Sequence, residues 1–279
     1  MTAAVRSELR KYATTRMAWA MPVAMLLIGA AFAALQGLFL AVIGEFPGAD
    51  GEIIRPAEVW DDLTVARMVY TGGVSMGYLL ALVLGILSMS GEFRHRTLTA
   101  TLLATPRRGR LIAAKLVGLV LVVLLNAVVF TAGSVLGGGI MLAVGDVSVF
   151  PDPVELVGTL ARMVLVLVLW GLMGFGLGVI IPNQVIALFV GVGFTLLLEP
   201  LIGFGLTFVD WLADAARYFP SQATMATLDL FSGVDPEVRQ SLGGAEDPLT
   251  WWVAALVLLG YAGIMAALGW VLTSRRDVA

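Results

Sequence analysis

Of the 279 residues, 59% are hydrophobic and only 13% are charged, where a water-soluble domain runs at about 45–50% and about 25%. That balance excludes an ordinary soluble globule, because the polar residues could not cover so large an apolar core. The net charge of −3 offers no footprint for a nucleic acid, and the lack of cysteine removes disulfides and thiolate metal sites.

The chain opens on a basic stretch, residues 1–16. Val5, Leu9 and Tyr12 recur there at helical spacing, while Arg6, Arg10 and Lys11 fall on other faces. This pattern predicts an amphipathic helix lying on a membrane surface, with a disordered basic tail as the alternative. A first apolar run, Met17–Ile43, follows. It holds a small-residue site at Ala31-Phe32-Ala33, but it is longer than a signal-peptide core and reads as a retained span. Gly44–Met68 is acidic and moderately polar. The second span is predicted over Val69–Ser90, and a basic loop, 91–115, leads into the third, Leu116–Val144. Asn126, Thr131 and Ser134 lie inside that third span, where such residues cross-link helices by hydrogen bonds.

The fourth span is Leu156–Ile181, with Gly174 and Gly178 making a small-xxx-small step that permits close helix approach. Pro182-Asn183-Gln184 is a tight turn, since Pro182 cannot continue the preceding ladder. The fifth span runs from Val185 to Phe208. Glu199, followed by Pro200, is the carboxylate deep in this apolar run. A charge there costs a few kcal/mol. Two readings stay open: Glu199 lines a polar pathway, or it ends a short span, with Leu201–Phe208 re-entering. Val209–Thr250 is either a re-entrant element or an exposed loop with aromatic anchors. Trp251–Thr273 is the sixth span. No internal repeat is found.

Basic residues set the orientation. Arg6, Arg10, Lys11 and Arg16, the six in the 91–115 loop, and Arg275 and Arg276 all fall on one side of a six-span arrangement, twelve of the seventeen in the chain. Most carboxylates fall on the other. The expectation is an all-α integral membrane protein, a single transmembrane domain over residues 1–279, with six transmembrane helices, an N-terminal amphipathic interfacial helix and both termini cytoplasmic.

No enzyme signature is present. The lone histidine, His95, sits in the basic loop, no HExxH helix occurs, and no GxxxxGK[ST] phosphate loop exists. The chain is expected to hold no metal and to hydrolyse no ATP by itself.

The 91–115 loop carries the most information. Thr97 can cap a short helix, Leu98, Leu102 and Leu103 fall near one face, and Pro106 ends it. Such a knob with basic flanks either docks in a partner's groove or rests on lipid. The stretch GEFRHRTLTATLLATPRRGRLIAAK resembles the corresponding loop of type 2 ABC-exporter membrane subunits. Gly91, Glu92, Phe93, Arg94, Thr97, Leu102, Leu103, Pro106, Arg107, Arg108 and Lys115 carry the resemblance, while His95-Arg96 departs from it. The resemblance implies a dimer, with a second copy of this or a related permease, bound to two copies of an ABC ATPase subunit that holds ATP and Mg. It implies a coupling helix over 97–106, with Arg94, Arg96, Thr97, Leu98, Leu102, Leu103 and Pro106 contacting the ATPase. It places a translocation pathway between the copies, with Met76, Tyr78, Phe189, Phe194 and Glu199 as candidate lining residues.

Two other classes compete: a proton-coupled secondary transporter built around Glu199, and a non-transporting scaffold that recruits a cytoplasmic partner. The sequence offers the former no evident paired charges within the membrane and no inverted repeat.

Overall fold

The computed structural model describes residues 2–44, 46–47, 53–54, 60–94, 108–206, 214–230 and 247–275, and all structural statements below concern these. Helix α1 is Thr2–Ala13. After a short turn, α2 runs Met17–Gly37 and passes into a π-helical stretch, Leu38–Ile43. Two short extended pieces, Phe46–Pro47 and Ile53–Ile54, pair antiparallel. Next come α3 (Asp62–Thr71), α4 (Val74–Arg94), α5 (Arg108–Val144) and α6 (Pro153–Ile180). Helix α7 (Gln184–Gly193) continues through a π-helical stretch, Phe194–Leu198, into α8 (Glu199–Leu206). A 3-10 turn, Asp214–Tyr218, precedes α9 (Pro220–Leu228), and α10 is Trp251–Arg275.

Six helical segments are long and apolar enough to cross a bilayer: Met17–Ile43, Asp62–Ser90, Ala113–Val144, Pro153–Ile180, Gln184–Leu206 and Trp251–Gly269. The chain is a multi-pass membrane protein by this criterion, and the predicted spans agree with the observed ones apart from the second. That span begins at Asp62 rather than Val69, because α3 is already helical. Asp61 caps it, its carboxylate accepting from the Thr64 amide and from the Thr64 hydroxyl at 2.6 Å. Gly72-Gly73 then breaks α3 from α4. The fourth and fifth spans meet as expected at a short turn, where Asn183 accepts from the amides of Val185 and Ile186.

Alternating directions define two ends of the bundle. The near end holds α1, the start of α5 and the α6–α7 turn. The far end holds the start of α3, the α5–α6 connection, α9 and the start of α10. The second and fourth spans are central, and the first, fifth and sixth leave wide apolar faces uncovered.

Small residues set the two tightest helix pairs. An ideal Cβ on Gly174 would lie 2.1 Å from the Leu82 carbonyl oxygen, and one on Gly85 only 2.0 Å from that of Gly171. The Gly174/Gly178 step therefore seats α6 directly on α4 within one chain. A second step, Gly133 and Gly137 on α5, does the same against α2, facing the carbonyls of Leu26 and Ala30. In lipid, such close approach supplies dispersion contacts where no hydrophobic drive exists between helices. The main core centres on Trp170, which stacks on Tyr78 with ring centroids 4.2 Å apart.

Candidate functional site

The candidate coupling segment lies mostly outside the described residues. Helix α4 ends at Arg94 and α5 begins at Arg108, so Arg96, Thr97, Leu98, Leu102, Leu103 and Pro106 fall in the interval between two helix ends at the near end.

Helix α1 lies beside the same end, held by specific polar contacts. Glu8 pairs with Lys115 at 3.3 Å and with Lys11 at 2.8 Å. The Tyr12 hydroxyl donates to the Met17 carbonyl and accepts from the Asn126 amide nitrogen at 3.2 Å. Burial pushes the Tyr12 phenol up from its ordinary range, against the opposing pull of the Asn126 hydrogen bond, so it stays protonated and able to donate. Asn126 thus ties two helices together, as expected from its position. Thr131 instead donates to Ala127 of its own helix, and Ser134 packs beside Gly29. Between α1, α4, α5 and α6 a cavity of about 480 Å³ remains, walled by Tyr12, Leu84, Leu119 and Phe175 and edged by Glu8 and Lys115.

Of the five candidate pathway residues, the structure brings Tyr78 and Glu199 within electrostatic reach of each other. Tyr78 is buried against Trp170 and Met76 is half-buried, whereas Phe189 is 77% exposed and Phe194 39%. Glu199 is buried at 2% exposure. It does not end the fifth span, since helix continues to Leu206. Its Oε1 accepts from the Ser221 backbone amide at 2.6 Å. Ser221 stands in the first turn of α9, whose own cap residue, Phe219, supplies no side-chain acceptor. A helix start leaves amides without partners and carries partial positive charge, so an acidic group there is stabilising. Glu199 therefore serves as a cap donated by another helix. Helix α9 itself is seated in the bundle: Pro220, Ala223, Thr224, Thr227 and Leu228 are buried, and Thr224 accepts from the Trp170 indole N–H at 2.8 Å.

The far end holds charges that sequence reasoning missed. Buried Arg67 on α3 pairs with Glu155 on α6. Arg162, two turns further along α6, pairs with Asp229 at 3.4 Å and lies 5.6 Å from the Trp251 ring. Asp229 holds a left-handed backbone (φ 56) at the end of α9. Both arginines belong to helices long and apolar enough to span a membrane, and both are paired, Arg162 with a carboxylate outside the spanning segments. The signal was available as single arginines interrupting apolar stretches, but their partners stand 88 and 67 residues away. Among the described residues no cluster of histidine and carboxylate side chains could hold a metal ion.

The sequence matches no protein-family model and no curated protein.

Proposed function

We propose that this chain is the membrane subunit of an ATP-driven exporter of the type 2 ABC class, working as a dimer with two separate ATPase subunits. The observation that carries this reading is the 91–115 motif, bounded by the end of α4 and the start of α5. Basic residues concentrated at the near end support a cytoplasmic placement of both termini in a cell membrane. Helix α1, fixed to α5 at Lys115 and Asn126, fits an interfacial helix beside the coupling segment. The exposed apolar residues of the fifth span, Phe189 and Leu197 among them, fit contact with a second copy or with cargo moving between copies. ATP and Mg belong to the partner, which supplies hydrolysis that this chain has no phosphate loop to perform.

The test is reconstitution with a Walker-motif ATPase subunit, sought first among the neighbouring genes. Leu102→Asp is expected to weaken complex formation at least about tenfold, since an unpaired charge enters an apolar groove. Unchanged assembly and ATP turnover would remove the coupling-helix assignment.

A second reading draws on Glu199, a buried carboxylate within a span: a proton-coupled transporter needing no ATPase. Glu199→Gln separates the two. Glutamine keeps an oxygen that accepts from Ser221, so assembly stays intact while the acid is lost. Altered export that still depends on ATP supports the exporter reading. Transport by the wild-type chain in ATPase-free vesicles, driven by a pH gradient and abolished in Glu199→Gln, supports the other. Wild-type rates in the variant would place Glu199 outside any pathway, leaving it a helix cap only.

A further inference from the structure

The far-end charges line an open cleft of about 620 Å³, within the roughly 300–1,000 Å³ of small-ligand sites. Its charged lining is arranged by depth. The guanidinium groups are the sheltered members of each pair: the Arg67 and Arg162 side chains are 5% and 16% exposed, against 54% and 40% for Glu155 and Asp229. Positive charge thus lines the interior and negative charge the mouth. Ala161 and Leu165 continue the wall along the uncovered apolar face of α6, and Trp251 closes one side. Gly158 lines the cleft without a side chain, and an added Cβ there would meet only the Arg162 Nη2, at 3.8 Å.

We propose that this cleft binds the headgroup of a zwitterionic phospholipid carrying a phosphate and a primary ammonium, as in phosphatidylethanolamine. The inference rests on the membrane-spanning character of the six helices and is independent of the exporter reading. Depth supports it. Glu155 and Trp251 stand in the first turns of their helices, which is headgroup level for a bilayer and the level tryptophan favours, and Arg162, two turns further in, extends its guanidinium back to Trp251 and Asp229. Chemistry supports it as well. A guanidinium offers phosphate a fork of parallel donors, and the outer carboxylates accept from the ammonium. An anionic lipid without the ammonium would offer no donor to the exposed oxygens of Glu155 and Asp229 and would bring its charge close to them. A quaternary ammonium has no N–H to donate to them, and the Trp251 face that might otherwise hold it is occupied by Arg162. The acyl chains would then run along Ala161 and Leu165 into the bilayer.

Full-length protein in phosphatidylcholine nanodiscs, doped equally with phosphatidylethanolamine and phosphatidylglycerol, provides the test, with retained lipid counted by native mass spectrometry. The wild type is expected to retain phosphatidylethanolamine over phosphatidylglycerol by about tenfold, the ratio that one charge-assisted contact gives. Arg162→Gln is expected to reduce the preference to parity. Gly158→Leu should do the same by filling the cleft while leaving all four charged groups in place, which covers the case that Arg162→Gln fails to fold. Gly263→Leu, on an open face with nothing within 4 Å, should retain the wild-type ratio. Equal retention of the two lipids by the wild type, or an unchanged ratio in Gly158→Leu, would overturn the site. Displacement of the lipid by an equal concentration of soluble phosphoethanolamine would overturn the lipid as its occupant.

Discussion

Gly85→Val is expected to abolish the monodisperse folded protein, whereas Gly263→Val should leave it intact. At Gly85 the nearest obstacles are backbone: the Gly171 carbonyl oxygen at 2.0 Å and the Phe175 amide nitrogen at 2.7 Å from an ideal Cβ. No rotamer change relieves such a clash, so α4 and α6 must separate. Overpacking commonly costs about 1–3 kcal/mol when side chains can give way. Here the whole central pair loses its contact, and the cost should reach or exceed the top of that range. The second and fourth spans are the two most buried in the bundle, so little else would hold the centre. Gly263 has nothing within 4 Å, and substitution there should change stability by no more than about 0.5 kcal/mol. Size-exclusion profiles and thermal unfolding in detergent measure both. Equal behaviour of the two variants would refute the close approach of α4 and α6.

Trp170→Ala is the second large effect. Trp170 is the largest fully buried side chain among the described residues. It contributes ring stacking to Tyr78 on α4 and an indole hydrogen bond to Thr224 on α9. In lipid its removal costs chiefly the cavity and the lost dispersion contacts, together about 3–5 kcal/mol. Trp170→Phe keeps most of the volume and removes the donor. Thr224 still donates to the Pro220 carbonyl, so its hydroxyl is not orphaned, and the loss should be about 1 kcal/mol. Denaturant titration of the alanine and phenylalanine variants separates packing from the hydrogen bond. A small effect of Trp170→Ala would mean that α9 is held elsewhere.

The long apolar runs were legible because lipid imposes a simple length and polarity rule, and the spans other than the second were placed within a few residues of their ends. The Gly174/Gly178 step was legible as a close approach, though not which helix it meets. Gly133 and Gly137 carry an equal role and drew no notice, since glycine is common throughout the chain. Helix α3 escaped because Asp62, Thr64 and Arg67 dilute its apolar character, and its helicity depends on the Asp61 cap and on burial against α5 and α6. The far-end ion pairs and the Glu199–Ser221 contact join residues remote in sequence. Local pattern shows that a charge sits in an awkward place, and only tertiary structure shows what relieves it.

The π-helical stretch at Phe194–Leu198 has a consequence for the fifth span. Gly191, Thr195 and Glu199 are all buried, a repeat of four residues. In a regular α-helix of 3.6 residues per turn, each step of four rotates a side chain about 40° past the previous one. Glu199 would then stand about 80° around from Gly191, towards the uncovered side. The wider π turn slows that rotation and holds the three residues on one azimuth. The bulge acts as a phase shifter: it delivers an acid to the start of α9 while Phe189 stays exposed.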